Sequence, residues 1–194
     1  PTPGDGGIAV GAALVGYKKL GNVLKPVKME SALLGRSFSK KEIVLALNKF
    51  KKELQYKDLG NNLYKTVAKH IAQGEVVGWF TGRDEWGPRA LGSRSVLADP
   101  RDIDTKNRIN NKLKQRDWFM PFAPVVLEEF KNEVLVHGYG TGFMTLTDDV
   151  DIQMAKKIPA AIHIDMTARA QVIKREVNPG YYQIVKEFYN LTKV

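Results

Sequence analysis

The stretch with the most chemical capacity is Gly82-Arg-Asp-Glu-Trp-Gly-Pro-Arg-Ala-Leu-Gly-Ser-Arg-Ser95, continued by Arg108, Lys112, Lys114 and Arg116. Between Arg83 and Arg116 nine basic side chains stand against five acidic ones. A guanidinium offers planar, paired donors to phosphate oxygens, an ammonium adds a compact charge, and glycine lets backbone N–H groups approach a ligand closely. The mixture suits anchoring a phosphorylated compound, each charge-assisted hydrogen bond contributing about 1.5–3 kcal/mol. The same residues also suit a surface loop whose arginines pair with Asp84, Glu85 and Asp99, and residue types alone leave both readings open. Nucleic acid is another phosphate-rich partner, with Trp79, Trp86 and Trp118 as rings on which bases stack. Most aromatics sit in apolar or β-like runs, however, and no helix-turn-helix, RNP or zinc-finger pattern is present, so nucleic acid is disfavoured.

Of the three histidines, only His163 has suggestive neighbours. If residues 161–171 are extended, His163, Asp165, Thr167, Arg169 and Gln171 share one face, with Ile162, Ile164, Met166, Ala168 and Ala170 on the other. A solvated strand face explains this stripe without function. If the stripe lines a cleft, Arg169 is a phosphate ligand and Thr167 a hydrogen-bond donor.

Several elements must hold these residues. The opening Pro1-Thr-Pro-Gly-Asp-Gly-Gly7 reads as a loop entering a tightly packed helix over Ile8–Tyr17. Ser39-Lys-Lys-Glu42 is a capping box for a helix reaching about Leu54, with Ile43, Leu47 and Phe50 on one face. A second helix runs from about Gly60 to Gln73, with Leu63, Val67 and Ile71 in line and Gly74 at C′. Val76–Thr81 reads as a buried strand and Asp102–Lys114 as a helix. Strands are expected at Phe122–Leu127, Gly142–Thr147, Ala160–Ile164 and Ala170–Lys174. Asn178-Pro179 starts a last helix through about Leu191, with Asn as N-cap and Pro at N1.

Composition sets the outer bounds. The 194 residues are 43% hydrophobic and 26% charged, which is the balance of a folded chain able to bury a core. The absence of cysteine excludes a disulfide scaffold and thiolate chemistry, and cytoplasm is the expected compartment. The longest apolar stretch, Gly7–Tyr17, is about half of what spanning a bilayer requires, so no membrane anchor is expected. Net charge is +9, and residues 1–60 alone carry 11 basic against 5 acidic side chains. An anionic partner follows from that excess.

Three segments are more specific than a basic loop: Gly78-Trp-Phe-Thr-Gly-Arg-Asp-Glu-Trp-Gly-Pro-Arg-Ala-Leu-Gly-Ser-Arg-Ser-Val-Leu-Ala-Asp-Pro-Arg101, Asn110-Asn-Lys-Leu-Lys114 to Phe119, and Pro121-Phe-Ala-Pro124. They resemble the O-carbamoyltransferase family of the NodU and tobramycin carbamoyltransferase type. His163-Ile-Asp-Met-Thr-Ala-Arg-Ala-Gln171 and Pro3-Gly-Asp-Gly-Gly7 match further motifs of that family, in the same order.

The resemblance implies an α/β fold: a YrdC-like twisted mixed sheet with flanking helices, C-terminally truncated. Residues 1–20 would be the end of an actin/hexokinase-like domain, 21–60 a connecting region, and 61–194 most of the YrdC-like domain. The family continues into a further strand and an Asn-Thr-Ser-Phe-Asn motif. The exposed edge left without that strand favours homodimers or aggregation, and a piece lacking the acceptor-binding domain would be inactive in full transfer. The implied reaction combines carbamoyl phosphate with ATP and Mg2+ to give carbamoyl adenylate and pyrophosphate, then passes the carbamoyl group to a hydroxyl-bearing small-molecule acceptor.

By motif position, Arg89 and Lys114 are the catalytic candidates. Arg83, Arg94, Ser95, Arg116, His163, Thr167 and Arg169 are the substrate- and nucleotide-binding candidates. Asp5 resembles a ligand of a divalent metal in the first domain, whose histidine partners would lie in that domain. Many relatives carry Arg immediately before Pro-Phe-Ala-Pro, where this chain has Met120, which leaves Lys114 and Arg116 to do more. The alternative reading is a YrdC-like nucleotide- or RNA-binding module.

Overall fold

Capping chemistry and hydrophobic spacing account for most of the elements. In a computed structural model, which describes every residue except Pro1, Pro3, Pro26 and Val27, the first element is helix α1 (Asp5–Lys19). The expected helix is present, but the expected tight packing is not. It has no buried residue, and Ile8 is 67% exposed. The prolines of the opening motif, Pro1 and Pro3, lie outside the described residues. Helix α2 (Lys40–Lys49) has the expected capping box: Glu42 N–H donates to Ser39 Oγ at 3.3 Å, and Ser39 N–H donates to Glu42 Oε2 at 2.9 Å. It ends at Lys49 rather than near Leu54.

A 3₁₀ turn, Gly60–Asn62, leads into α3 (Leu63–Ala72), which Gly74 stops with a φ of +86°. Strand β1 (Val77–Phe80) pairs antiparallel with β2 (Arg94–Leu97), Val77 opposite Leu97 and Phe80 opposite Arg94. β1 is buried on one face only: Trp79 is in the core, whereas Phe80 is exposed. Helix α4 (Ile103–Ile109) is capped by Asp102 and runs into a π-turn, Asn110–Lys114, closed by Gln115 at φ +48°. There follow β3 (Val125–Leu127), α5 (Lys131–Val134), β4 (Asp148–Asp149), α6 (Ile152–Lys157), β5 (Thr167–Ala168), β6 (Gln171–Ile173) and α7 (Pro179–Thr192). Asn178 caps α7 by accepting from Tyr181 N–H, as expected.

The fold is α/β, with parallel pairing of β3 to β6 and antiparallel pairing of β4 to β5 beside that of β1 to β2. Among the described residues this pairing is divided into three two-stranded ladders.

Two expected strands are absent. At Gly142–Thr147 the chain turns, with Thr141 Oγ1 accepting from Phe143 N–H at 3.3 Å and Met144 at φ +51°. Pairing begins only at Asp148, whose buried carboxylate takes the N–H groups of His137 and Tyr139. At Ala160–Ile164, Pro159 opens a 3₁₀ turn, and Ala160 N–H goes to Pro100 O instead of a ladder. The strand expected at Phe122–Leu127 begins at Val125, since Pro124 has no N–H to contribute.

The core that carries the functional loops has two parts. Val67, Ala68 and Ile71 of α3 pack with Trp79, Ile184 and Phe188, while Leu127, Ile173 and Tyr181 join β3 and β6 to α7. Each such side chain contributes roughly 1.5–3 kcal/mol by leaving water.

Gly92 fits beneath this second cluster only because it has no side chain. Its φ is +98°, and a Cβ there would come 2.0 Å from Tyr181 Cδ1. Gly92→Ala is expected to cost about 3 kcal/mol and to lower the melting temperature by roughly 6–12 °C in circular dichroism. Gly11→Ala, in the exposed interior of α1, should leave it unchanged or slightly raised. An unshifted transition for Gly92→Ala would show that this packing does not exist in solution.

Candidate functional site

The loop between β1 and β2 is tied down at both feet. Its start docks on the preceding segment: Gly35 N–H donates to Asp84 O at 3.0 Å and Trp86 N–H to Ala32 O at 2.7 Å. Its end folds around Glu85, whose Oε1 accepts from the N–H groups of Leu91, Ser93 and Arg94 at 3.0, 2.6 and 2.9 Å. Trp79 Nε1 and Asn178 Nδ2 donate to Gly92 O, Ser95 Oγ accepts from Gly92 N–H, and Gln171 Nε2 donates to Leu91 O.

These fastenings sort the candidate arginines. Arg83 donates to Gly35 O and Leu34 O. Arg94 donates to Thr81 O and Ser93 O, pairs with Asp84 at 2.7 Å and lies 3.6 Å over the Phe80 ring. Both therefore hold the loop, and the surface-loop reading describes Arg94 correctly. Arg89, at the loop's crest, is exposed and has no side-chain hydrogen bond or ion pair among the described residues.

A second support comes from the π-turn after α4. Asn110 is completely buried; its Nδ2 donates to Asp117 O and Trp118 O at 3.4 Å and to Met120 O at 2.9 Å. Its Oδ1 accepts from Arg116 Nε at 2.7 Å, and the Arg116 guanidinium lies 4.4 Å over Phe122. Lys114 ends the π-turn exposed, with no partner among the described residues. Met120 is not on the cavity wall described below, and its carbonyl is one of the three that Asn110 holds.

Between β2 and β3 lies a cavity of about 620 Å³. Arg89, Ser95, Lys114, Arg116 and Arg169 line it together, with Val126, Ile184 and Phe188 on its apolar side. Asp99 also lines it but is tied to Arg101 at 2.6 Å. Arg169, between β5 and β6, has a buried Nε with no hydrogen-bond partner. Burial, and then the charge of Arg89, push the Arg169 guanidinium below its usual pKa. Two like charges on one cavity wall with an unpartnered buried donor are the chemistry by which guanidiniums take up an anion.

The expected polar stripe does not form. The chain turns at Asp165–Met166, with Met166 at φ +66°, so of the stripe Arg169 and Gln171 reach the cavity of Arg89 and Lys114, and Gln171 Nε2 donates to Leu91 O of the loop. His163 and Thr167 make a separate cluster: His163 Nδ1 lies 2.8 Å from Thr167 Oγ1, which donates to Asp165 Oδ1 at 2.8 Å. The Thr167 hydroxyl and N–H hold the Asp165 carboxyl below the usual range. Asp5 stands alone on the exposed first turn of α1, and among the described residues no group of three His, Asp or Glu gathers that could hold a metal ion. No helix is long and apolar enough to cross a membrane among the described residues.

Sequence reasoning gave no site role to Glu85, Asn110 or Gln171. The available signal was an acidic and two amide residues inside otherwise basic or apolar motifs, a pattern that suits backbone anchoring.

Comparison with known proteins bears on the same segment. A family model described as Carbamoyltransferase C-terminus matches residues 68–194. An uncharacterized protein of Methanocaldococcus jannaschii is 37% identical over 195 residues, covering 99% of this chain and 32% of the relative. Nodulation protein NolO of Bradyrhizobium diazoefficiens is 35% identical over 198 residues, covering 100% and 36%. Nodulation protein U of Azorhizobium caulinodans is 37% identical over 128 residues, covering 66% and 23%. The chain spans about a third of the length of the first two.

Because Asn110 satisfies four partners from a fully buried position, Asn110→Ala should lower stability by roughly 3 kcal/mol in urea denaturation. Amides of residues 115–121 should exchange faster than those of α3. A loss below about 1 kcal/mol with unchanged exchange would show that Asn110 does not hold this segment.

Proposed function

Since the chain belongs to the carbamoyltransferase C-terminal family, whose model matches residues 68–194, we propose that its cationic cavity binds carbamoyl phosphate and the phosphates of ATP. The observation that carries the reading is that Arg89 and Arg169 line one cavity, with the Arg169 Nε buried and unpartnered and neither guanidinium in an ion pair among the described residues. In the complete polypeptide the domain would form carbamoyl adenylate for transfer to an acceptor hydroxyl. Residues 1–20 would close a preceding domain, and an α1 with no buried residue suits that role; residues 21–60 would connect it to the domain over 61–194.

Each cation has a task in this reading. Arg169 and Arg89 hold a phosphate from two sides, and their mutual repulsion falls when the dianion arrives. Lys114, on the end of a rigid π-turn, supplies a mobile point charge where negative charge accumulates as phosphate and pyrophosphate depart. Arg116, already anchored by Asn110 and Phe122, orients the remaining oxygens with the donors it has left. The apolar wall lowers the local dielectric on the side of the buried Arg169 Nε, which strengthens its contact. Nucleotide phosphates would bring Mg2+, adding charge neutralisation at the leaving group.

In the complete polypeptide, Arg89→Ala, Lys114→Ala and Arg169→Ala should each reduce carbamoyl-phosphate-dependent pyrophosphate release by about 10²–10³-fold without altering the circular dichroism spectrum. Turnover at the wild-type level in folded variants would remove the assignment. Tight RNA binding that weakens steeply with salt, with no response to carbamoyl phosphate, would favour a nucleic-acid-binding module instead.

A further inference from the structure

Arg89 sits on a loop with no repetitive secondary structure, so the N–H groups of that loop need acceptors from elsewhere. Glu85 supplies one for three of them. Its Oε1 collects Leu91, Ser93 and Arg94, all C-terminal to Arg89, while Trp86 next to it is fastened on the N-terminal side through Ala32 O. The segment between those fastenings carries Arg89 with no protein partner among the described residues. Repulsion from Arg169 works against that placement, because like charges that share a site drive each other apart. Asp84 cannot take over the anchoring, since its carboxylate is already paired with Arg94.

We propose that Glu85 is the positioning residue of the anion site: by gathering three backbone N–H groups on one carboxylate oxygen, it holds Arg89 beside Arg169 against their repulsion. The proposal rests on the cavity being a phosphate site. The negative charge matters as much as the shape, because charge-assisted hydrogen bonds are roughly twice as strong as neutral ones. An amide oxygen in the same place accepts more weakly and brings an NH2 group among the donors. Glu85 therefore acts on the ligand only through the loop and touches no reacting atom.

The test uses the 194-residue protein as wild type, Glu85→Gln, Arg89→Ala and the double variant, with pyrophosphate titrated by calorimetry. Each single substitution is expected to weaken binding about tenfold, and the double variant no further than Arg89→Ala alone, because residues acting through one another are not additive. In Glu85→Gln the amides of Leu91, Ser93 and Arg94 should exchange at least about tenfold faster, while that of Val172 in β6 does not change. If the glutamine variant does not fold, Glu85→Asp, one methylene short of the same donors, should show the same non-additivity with Arg89→Ala. Additive losses, or unchanged exchange at the three amides, overturn the positioning role while leaving the anion site intact. A wild-type protein that does not bind pyrophosphate overturns the phosphate reading of the cavity, and the role of Glu85 falls with it.

Discussion

A single carboxylate oxygen, Oε1 of Glu85, stands in for the secondary structure that the β1–β2 loop lacks. Three N–H groups that would otherwise be half-buried and unpaired converge on it. Leaving one such donor without a partner costs about 1–3 kcal/mol, so this conformation of the loop depends on the acid. The consequences spread outward from there. Gly92 can face Tyr181 only in this conformation, its carbonyl then meets Trp79 and Asn178, and α7 is thereby joined to β1. Burial, with Glu85's charge as a smaller contribution, pushes the Tyr181 hydroxyl well above its usual pKa, so that ring stays neutral in its place.

The distribution of charge follows a simple rule. Most arginines near the site are employed as donors to backbone carbonyls: Arg83 to Gly35, Arg94 to Thr81, Arg101 to Ala72, Arg108 to Gly74 and Arg116 to Pro121. A guanidinium has five N–H donors and can staple an irregular segment while keeping its charge. Arg89, Lys114 and Arg169 are among the cations of the cavity that have neither a carboxylate partner nor a side-chain hydrogen bond among the described residues. A surplus of basic residues thus divides into structural fasteners and cations available to an anion, and that division is invisible in the net charge.

The chain belongs to a carbamoyltransferase family whose model matches residues 68–194. The helices before residue 60 differ from the rest. Neither α1 nor α2 has a buried residue, although both carry large apolar side chains. Local capping and propensity are sufficient to define them as helices, but burial among the described residues does not stabilise them.

What the sequence by itself determined was local: helices that begin at Ser39 and Asn178 and the stop at Gly74, because a cap is a contact between residues three or four apart. The family resemblance of its motifs also singled out Arg89, Lys114 and Arg169 as candidates, and all three line one cavity. Only the tertiary structure decided the rest. Gly142–Thr147 and Ala160–Ile164 have strand-like composition, yet turns won because Thr141 closes the first and Pro159 opens the second. The alternating stripe from His163 to Gln171 required an extended backbone, and the turn at Met166 removed it. Likewise, residue type alone did not separate Arg94 from Arg89, and only the family resemblance ranked them. Both lie in one motif with the same chemistry, and the fold gives Arg94 Asp84 and Thr81 as partners while it leaves Arg89 on the cavity wall with Arg169.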